Sequence, residues 1–346
     1  EREIAQSTFL HTPRRDFIVV IKWVFLLTMI VESLGTVILF LRFLADFSPG
    51  RAFYLGLYHA VSAFNNCGYS LFSDSLMSYR GDWIINLTVM LLIILGGIGF
   101  VVQYELYQKI RGRQKRLSLH SKIVLLMTGA LILGGATFFY LFEMNQAIKG
   151  MPLSTGILAS FFQSITARTS GFNTVDISGL TNATLLLLII LMFIGASPGS
   201  TGGGIKTTSF ALLMMMIWNR LRGSEQVNLY SRTVPGEILT RTLAIIFTSA
   251  FFVFVITSVL LLWNNETGLP PTQTRQLFVE YLFETVSAFG TVGLSMNVTQ
   301  KLNDIQKLAV IIMMFAGRVG PLTLAFSWYS RRKKGLTYAE ESVMVG

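Results

Sequence analysis

The chain has 346 residues, of which 52% are hydrophobic and only 13% are charged. Soluble domains carry about 25% charged residues, so this composition excludes an ordinary soluble domain and indicates an integral membrane protein. The formal net charge is +10. The basic residues separate long apolar segments, where they set membrane topology, so no nucleic-acid partner is expected. The single cysteine, Cys67, excludes an internal disulfide.

Six membrane spans are predicted along the chain. A helix needs about 20 mostly apolar residues to cross the hydrocarbon core. The segments that satisfy this without interruption are 17–44, 83–108, 123–142, 242–263 and 305–329. A sixth segment, 182–218, is too long for one span and is interrupted by glycines.

Lys and Arg are distributed unevenly between the segments that connect these spans. The segments on one side hold 17 of them and the segments on the other side hold six. The basic side comprises 1–16, 109–122, 220–241 and 331–346. Because basic loops stay in the cytoplasm, both termini are predicted to be cytoplasmic.

Three apolar segments on the opposite side are too short to span the bilayer and too apolar for exposed loops. They are 52–64, 156–167 and 274–289. A glycine-containing stretch and then a full span follow each one, which is typical of re-entrant half-helices. The predicted fold class is therefore an all-α integral membrane protein. Its repeats of helix, half-helix and helix (M1-P-M2) resemble those of potassium channels and surround a central pore.

The ends of the half-helices repeat in sequence. VSAFNNCGYS (61–70) and VSAFGTVGLS (286–295) share six of ten residues, and ITARTSGFNT (165–174) keeps the glycine. A ring of backbone carbonyls that replaces the hydration shell of potassium needs backbone angles that glycine tolerates best. We therefore predict an ion filter, the alternative being a duplication kept only for packing. The predicted filter residues are Asn65, Asn66, Cys67, Gly68, Thr169, Ser170, Gly171, Gly290, Thr291, Val292 and Gly293.

Two arginines lie at the predicted depth of the membrane. Arg168 opens the middle filter copy, where it should hydrogen-bond carbonyls behind the filter or pair with Glu284 rather than face cations. Arg318 allows two interpretations. It forms a structural pair with Glu32 or Glu105, or it places a positive charge near the pore below the filter.

The sixth span is interrupted by GASPGSTGGGIKTT at 195–208. A phosphate-binding loop is excluded because the pattern requires lysine where Ile205 stands, and Lys206 comes one residue late. Irregular backbone at membrane depth is tolerated only where it is buried in protein or lines a cavity. The stretch is therefore predicted to line the pore directly below the filter. Our hypothesis is that it acts as the gate, because its small residues let it collapse into the cavity and move aside. The gate residues are Gly199, Ser200, Thr201, Gly202, Gly203, Gly204 and Lys206.

The filter copies, the stretch 195–208 and GRVGPLT at 317–323 resemble the Trk/Ktr/HKT superfamily of potassium and sodium transporters, and most closely its KtrB-type bacterial membrane subunits. The resemblance implies four M1-P-M2 repeats around one pore and a homodimer in the bacterial plasma membrane. It also implies gating by a cytoplasmic octameric ring of KtrA-type nucleotide-binding subunits. K+ is the implied ion, with Na+ left open. No organic cofactor, further metal or enzymatic activity is expected.

On this basis the chain divides into three repeats and two cytoplasmic ends. The N-terminal segment is 1–16, family repeats 2, 3 and 4 are 17–116, 117–222 and 223–334, and the tail is 335–346. A first repeat is expected to precede residue 1, the alternative being a three-repeat pore. The competing function is secondary transport of a small anion that binds Lys206 and half-helix amino termini. Inverted repeats would favour it, but these copies share one orientation.

Overall fold

The computed structural model describes residues 14–224, 227–229, 232–263 and 271–320. Its helices are α1 (Arg14–Phe43), α2 (Pro49–Phe64), α3 (Trp83–Gly97), α4 (Phe100–Ile110), α5 (Leu119–Glu143), α6 (Leu153–Thr166), α7 (Asn182–Phe193), α8 (Thr207–Leu221), α9 (Gly236–Leu262), α10 (Pro271–Gly290) and α11 (Asp304–Val319). Short 3-10 helices occur at Met77–Tyr79, Ile177–Gly179 and Thr299–Lys301. Strands β1 (Asn228–Leu229) and β2 (Arg232–Thr233) pair antiparallel.

The helices follow the predicted M1-P-M2 order three times. The first helix of each repeat is long and apolar. Among the described residues, the unbent helices long and apolar enough to cross a membrane are Ile21–Phe43, Leu119–Glu143 and Gly236–Leu262. Each packs against the shorter helix that follows it, in the pairs α1–α2, α5–α6 and α9–α10. The all-α membrane fold with M1-P-M2 repeats is therefore confirmed.

Proline marks the start of each half-helix. Pro49 opens α2, Pro152 is the N-cap of α6, and Pro271 opens α10. Proline suits the first turn because the amide it lacks would have no partner there. The half-helices then run to Phe64, Thr166 and Gly290, so each ends within three residues of the start of its predicted filter stretch.

The second helix of the first repeat differs from the prediction. The apolar segment 83–108 was expected to be one continuous span, but α3 and α4 meet at an angle of 102°. The bend is at Gly99, whose φ is 89°. A Cβ on this glycine would lie 2.4 Å from the carbonyl oxygen of Pro198. Hydropathy records composition but not direction, so it could not predict this elbow.

The other second helices also stop within the membrane segment. α7 and α8 are separated by residues 194–206, as the glycines predicted. α11 ends at Val319, where Gly320 has a φ of 91°. The rest of the predicted span, 321–329, lies outside the described residues. Gly99 and Gly320 thus break corresponding helices in the same conformation.

Two further glycines let the second helices touch the half-helices. A Cβ on Gly96 would lie 1.8 Å from the carbonyl oxygen of Phe64, the last residue of α2. A Cβ on Gly317 would lie 1.8 Å from the carbonyl oxygen of Phe289 in α10. Because these obstacles are backbone atoms, no side-chain rotation could relieve them. Glycine at both positions sets the distance between the two helices and the filter.

Gly96 and its neighbour Gly97 give a matched test of this packing. We expect Gly96→Ala to destabilise the protein by about 1–3 kcal/mol, because the new methyl group overpacks a backbone contact. Gly97→Ala should be neutral, since its nearest neighbour, Asn66 Nδ2, is 3.9 Å away. Thermal unfolding of the detergent-purified full-length protein measures both variants. Equal melting temperatures for the two would contradict the packing account.

Candidate functional site

The three stretches that follow the half-helices share a backbone conformation. In each copy the residue two positions before the glycine has a positive φ although it is not glycine. These residues are Asn66 (51°), Thr169 (85°) and Thr291 (51°). The glycines themselves are Gly68 (70°), Gly171 (93°) and Gly293 (93°). Non-glycine residues rarely adopt this region, so its recurrence at one position in all three copies indicates a common structure.

The amides of these stretches turn back to the half-helices. Cys67 N donates to Ser62 O, and Val292 N donates to Ser287 O at the corresponding place, both at 2.9 Å. In the part of the chain that the structure describes, the carbonyl oxygens of 66–68, 169–171 and 291–293 accept no hydrogen bond. Backbone carbonyls that are buried without a partner cost free energy unless a ligand or water meets them. These oxygens are thus available to a cation.

The three copies lie side by side. A Cβ on Gly68 would lie 2.0 Å from Ser170 O, and one on Gly171 would lie 2.0 Å from Val292 O. The middle copy is therefore held between the other two, and side chains at these glycines would collide with backbone. Cys67 and Gly293, on the outer copies, are exposed, so the three copies form an arc that is open on one side.

The loop between α7 and α8 lies against this arc. Three consecutive loop residues meet the three residues with positive φ, one residue for each filter copy. The pairs are Thr201 with Asn66, whose Nδ2 donates to Thr201 Oγ1 (2.7 Å), Gly202 with Thr169, and Gly203 with Thr291. A Cβ on Gly202 would lie 2.1 Å from Thr169 Oγ1, and a Cβ on Gly203 would lie 2.5 Å from Thr291 Oγ1. The loop covers one end of the arc, and only glycine fits at two of its three contacts.

The break between α3 and α4 holds the loop through backbone hydrogen bonds. Ser197 N donates to Gly97 O (3.0 Å), and Phe100 N donates to Gly199 O (2.9 Å). The last carbonyls of a helix and the first amides of the next have no partners within their own helices. The elbow at Gly99 therefore exposes the groups that the loop requires. The sequence analysis missed this role of α3 and α4, although the glycines at 96, 97 and 99 were its visible sign.

Two basic side chains donate to the carbonyls of adjacent loop residues. Lys206 Nζ, on a half-buried side chain, donates to Gly202 O at 2.7 Å. Arg318 Nη1, from the end of α11, donates to Thr201 O. Both positively charged side chains thus form hydrogen bonds with the backbone of the loop. This leaves Lys206 committed to the protein rather than directed at an anionic substrate.

Arg318 makes no ion pair with a carboxylate among the described residues. Glu32 accepts from Asn65 Nδ2 at 2.7 Å, and Glu105 caps the start of α5 by accepting from Ser121 Oγ at 2.7 Å. Of the two interpretations from sequence, the structural pair was wrong. Arg318 is instead exposed next to the loop.

Arg168 does not pair with Glu284. The carboxylate of Glu284 accepts from Ser295 Oγ at 2.8 Å and from Thr299 Oγ1. The Arg168 side chain is buried, and its Nε has no hydrogen-bond partner among the described residues. It follows directly after the carboxyl end of α6, where a positive charge is favourable to the helix dipole. The described residues contain no group of three side chains suited to a metal ion.

Comparisons with known proteins show which family of proteins the chain resembles. A family model described as TrkH, cation transport protein, matches residues 12–331. The chain is 38% identical over 328 residues to Ktr system potassium uptake protein B of Vibrio alginolyticus, covering 94% of this chain and 70% of that protein. It is 35% identical over 351 residues to the protein of the same name in Bacillus subtilis, covering 100% of this chain and 76% of that protein.

Two further comparisons concern the ion and the fold. Potassium/sodium uptake protein NtpJ of Enterococcus hirae is 34% identical over 324 residues, which cover 92% of this chain and 70% of that protein. The crystal structure of the potassium transporter TrkH from Vibrio parahaemolyticus superposes with a TM-score of 0.71 at 19% identity. It covers 91% of this chain and 65% of its own, and at that identity it supports the fold alone.

The contact between loop and arc can be tested at Thr201. We expect Thr201→Val to lower stability by about 1–3 kcal/mol, because the buried amide of Asn66 loses its acceptor. Thr137→Val is the matched control, since Thr137 is exposed and its hydroxyl bonds only within its own helix, to Leu133 O. Thermal unfolding gives both values. A Thr201→Val variant as stable as the control would show that this contact does not hold the loop.

Proposed function

The chain belongs to the Trk/Ktr family of cation transporters, and from this premise we propose that it conducts potassium ions across the bacterial plasma membrane. The pathway is the arc formed by 65–68, 168–171 and 290–293. One observation carries the proposal: three adjacent copies direct their amides to the half-helices, and the carbonyls of 66–68, 169–171 and 291–293 accept no hydrogen bond from the described residues. The open side of the arc requires a further wall, so every experiment uses the full-length protein.

The chemistry of the arc suits potassium. Its ligands are neutral carbonyls, and the carboxyl ends of α2, α6 and α10 are next to them, each carrying about half a negative charge. The stretches themselves contain no Asp or Glu. Neutral carbonyls that replace a hydration shell are the arrangement used by potassium filters. Sodium is the second ion to be measured, because a relative at 34% identity is named for both.

The loop 194–206 is the proposed gate. It covers the arc with one residue for each copy, and Arg318 and Lys206 hold two of its carbonyls. Opening requires the loop to leave these contacts. A hydrogen bond to a charged group contributes about 1.5–3 kcal/mol, so loss of one such bond shifts the closed–open equilibrium roughly tenfold or more.

We further propose that a cytoplasmic partner acts on this gate through the elbow between α3 and α4. The loop shares backbone hydrogen bonds with both helices, so a displacement of α4 reaches Gly199 directly. α4 continues into the basic segment 109–122, which the distribution of charge places in the cytoplasm. The names of the relatives describe a Ktr system. By extension, the partner is a KtrA-type nucleotide-binding ring, and the membrane subunit is a homodimer with both termini cytoplasmic.

Deletion of residues 199–204 tests the gate. We expect potassium uptake in transport-deficient cells that lack the cytoplasmic partner to rise, because the deletion removes the residues that cover the arc. The elution profile of the purified variant checks that it remains assembled. Uptake as low as that of the unmodified protein would contradict the assignment of the gate.

Arg318→Gln tests the hydrogen bond that holds the loop. We expect roughly tenfold faster basal potassium uptake, since the charged donor to Thr201 O is lost while the protein stays assembled. Arg51→Gln is the control, because Arg51 is exposed and packs over the ring of Phe47, away from the loop. An unchanged uptake curve for Arg318→Gln would exclude this role.

Gly171→Ser tests the filter. The substitution places a Cβ about 2.0 Å from Val292 O at a φ of 93°, so the carbonyls must shift and discrimination between K+ and Na+ should fall. Gly129→Ser is the control, because the glycine has open space around it, and this variant should keep the discrimination between K+ and Na+. Uptake of each ion is measured separately. Equal K+ and Na+ rates in the unmodified protein would refute a potassium-selective filter.

A further inference from the structure

In the first and third copies, the serine two residues beyond the filter glycine contacts a polar side chain of the half-helix. Ser70 follows Gly68 by two residues, and Ser295 follows Gly293 by two residues. Ser70 Oγ lies 3.0 Å from His59 Nε2, and Ser295 Oγ donates to Glu284 at 2.8 Å. In both copies the half-helix residue precedes its serine by 11 positions. In both copies the half-helix therefore contacts the serine beyond the filter glycine, through a histidine in the first copy and a glutamate in the third.

Both half-helix residues are buried and fixed. His59 is fully buried, its Nδ1 lies 2.8 Å from Leu55 O, and its ring stacks on Phe72 at 5.0 Å. Because Leu55 O can only accept, Nδ1 is the protonated nitrogen, and Nε2 is left to accept from Ser70. Glu284 is 6% exposed and uses both carboxylate oxygens, one for Ser295 and one for Thr299.

The middle copy uses a neighbour instead. Phe162 and Asn173 occupy the places that His59 and Ser70 hold in the first copy, so this pair cannot form the contact. Asn173 N donates to Ser75 Oγ at 3.2 Å. Phe72 N donates to Ser70 Oγ at 3.1 Å, and Ser75 follows three residues later, so the segment that His59 holds also reaches the middle copy.

We infer that His59 and Glu284 are positioning residues that fix the outer end of the filter and thereby its discrimination between K+ and Na+. This inference rests on the proposed potassium pathway. The carbonyls can favour the larger ion only if their backbone resists closing around the smaller one. Polar side chains that are buried in a low dielectric hold their partners strongly, because breaking such a hydrogen bond leaves a buried polar group unsatisfied and costs free energy. Gly202 and Gly203 contact the inner end of the filter stretches. His59 and Glu284 hold the chain at the outer end of the same stretches.

Four variants of the full-length protein test the inference by K+ and Na+ uptake in transport-deficient cells. We expect Glu284→Leu and His59→Leu to lower the ratio of K+ to Na+ affinity about tenfold. Glu284→Gln, which keeps an oxygen acceptor, should retain most of the ratio. Ser295→Ala removes only the hydroxyl and should lower it several-fold, which gives a result even where the leucine variants fail to fold.

Two controls separate positioning from general loss of stability. Ser258→Ala removes an exposed hydroxyl that bonds only to Phe254 O in its own helix, and should leave the ratio unchanged. Glu143→Gln alters another buried glutamate, which caps α7 through Thr181, and should lower the melting temperature without changing the ratio.

The outcomes distinguish the inference from the proposed function. An unmodified protein without K+ preference overturns both. If the unmodified protein prefers K+, an unchanged ratio in folded Ser295→Ala, His59→Leu and Glu284→Leu overturns the inference alone. An equal loss of the ratio in Glu143→Gln also overturns it, because the effect would then follow from destabilisation anywhere in the protein.

Discussion

The structure depends on one constraint: a polar backbone group at membrane depth needs a partner within the protein. The interrupted segment 194–206 satisfies part of this constraint because another helix is interrupted beside it. α3 ends at Gly97 and α4 starts at Phe100, and these two helix ends supply the acceptor and the donor that the loop requires. The break in one repeat and the break in the next therefore form a single unit. Movement of the loop without movement of the elbow would leave both sets of groups unpaired.

The same constraint explains the arc. Its amides are satisfied by the half-helices, whereas its carbonyls are not satisfied by any described part of the chain. A membrane protein tolerates this only where an ion or water takes the place of the missing donor. The loop fits against the arc at the three residues with positive φ, so the strained positions of the proposed filter are also the positions that the proposed gate contacts. In this proposal, a change in the filter therefore affects the gate.

Much of the fold could be predicted from sequence, because apolar length and recurrent glycines report directly on spans and on left-handed backbone. The half-helices, the repeat at Gly68, Gly171 and Gly293, and the break after Phe193 were all visible in this way. The elbow at Gly99 was not visible in the sequence, because hydropathy records the composition of a segment but not the direction of its helices. The partner of Arg318 could not be predicted either, because it is a backbone carbonyl 117 residues away rather than a carboxylate. Contacts between distant segments depend on packing that a single sequence does not display.

The central claim is that potassium is bound by the carbonyls of the arc. The most direct measurement is anomalous diffraction from crystals of the full-length protein grown with rubidium or thallium in place of potassium, both of which scatter anomalously. We predict anomalous peaks next to the carbonyls of 66–68, 169–171 and 291–293, and their loss when sodium replaces the heavier ions. Peaks confined to other parts of the protein, with none next to these carbonyls, would contradict the account.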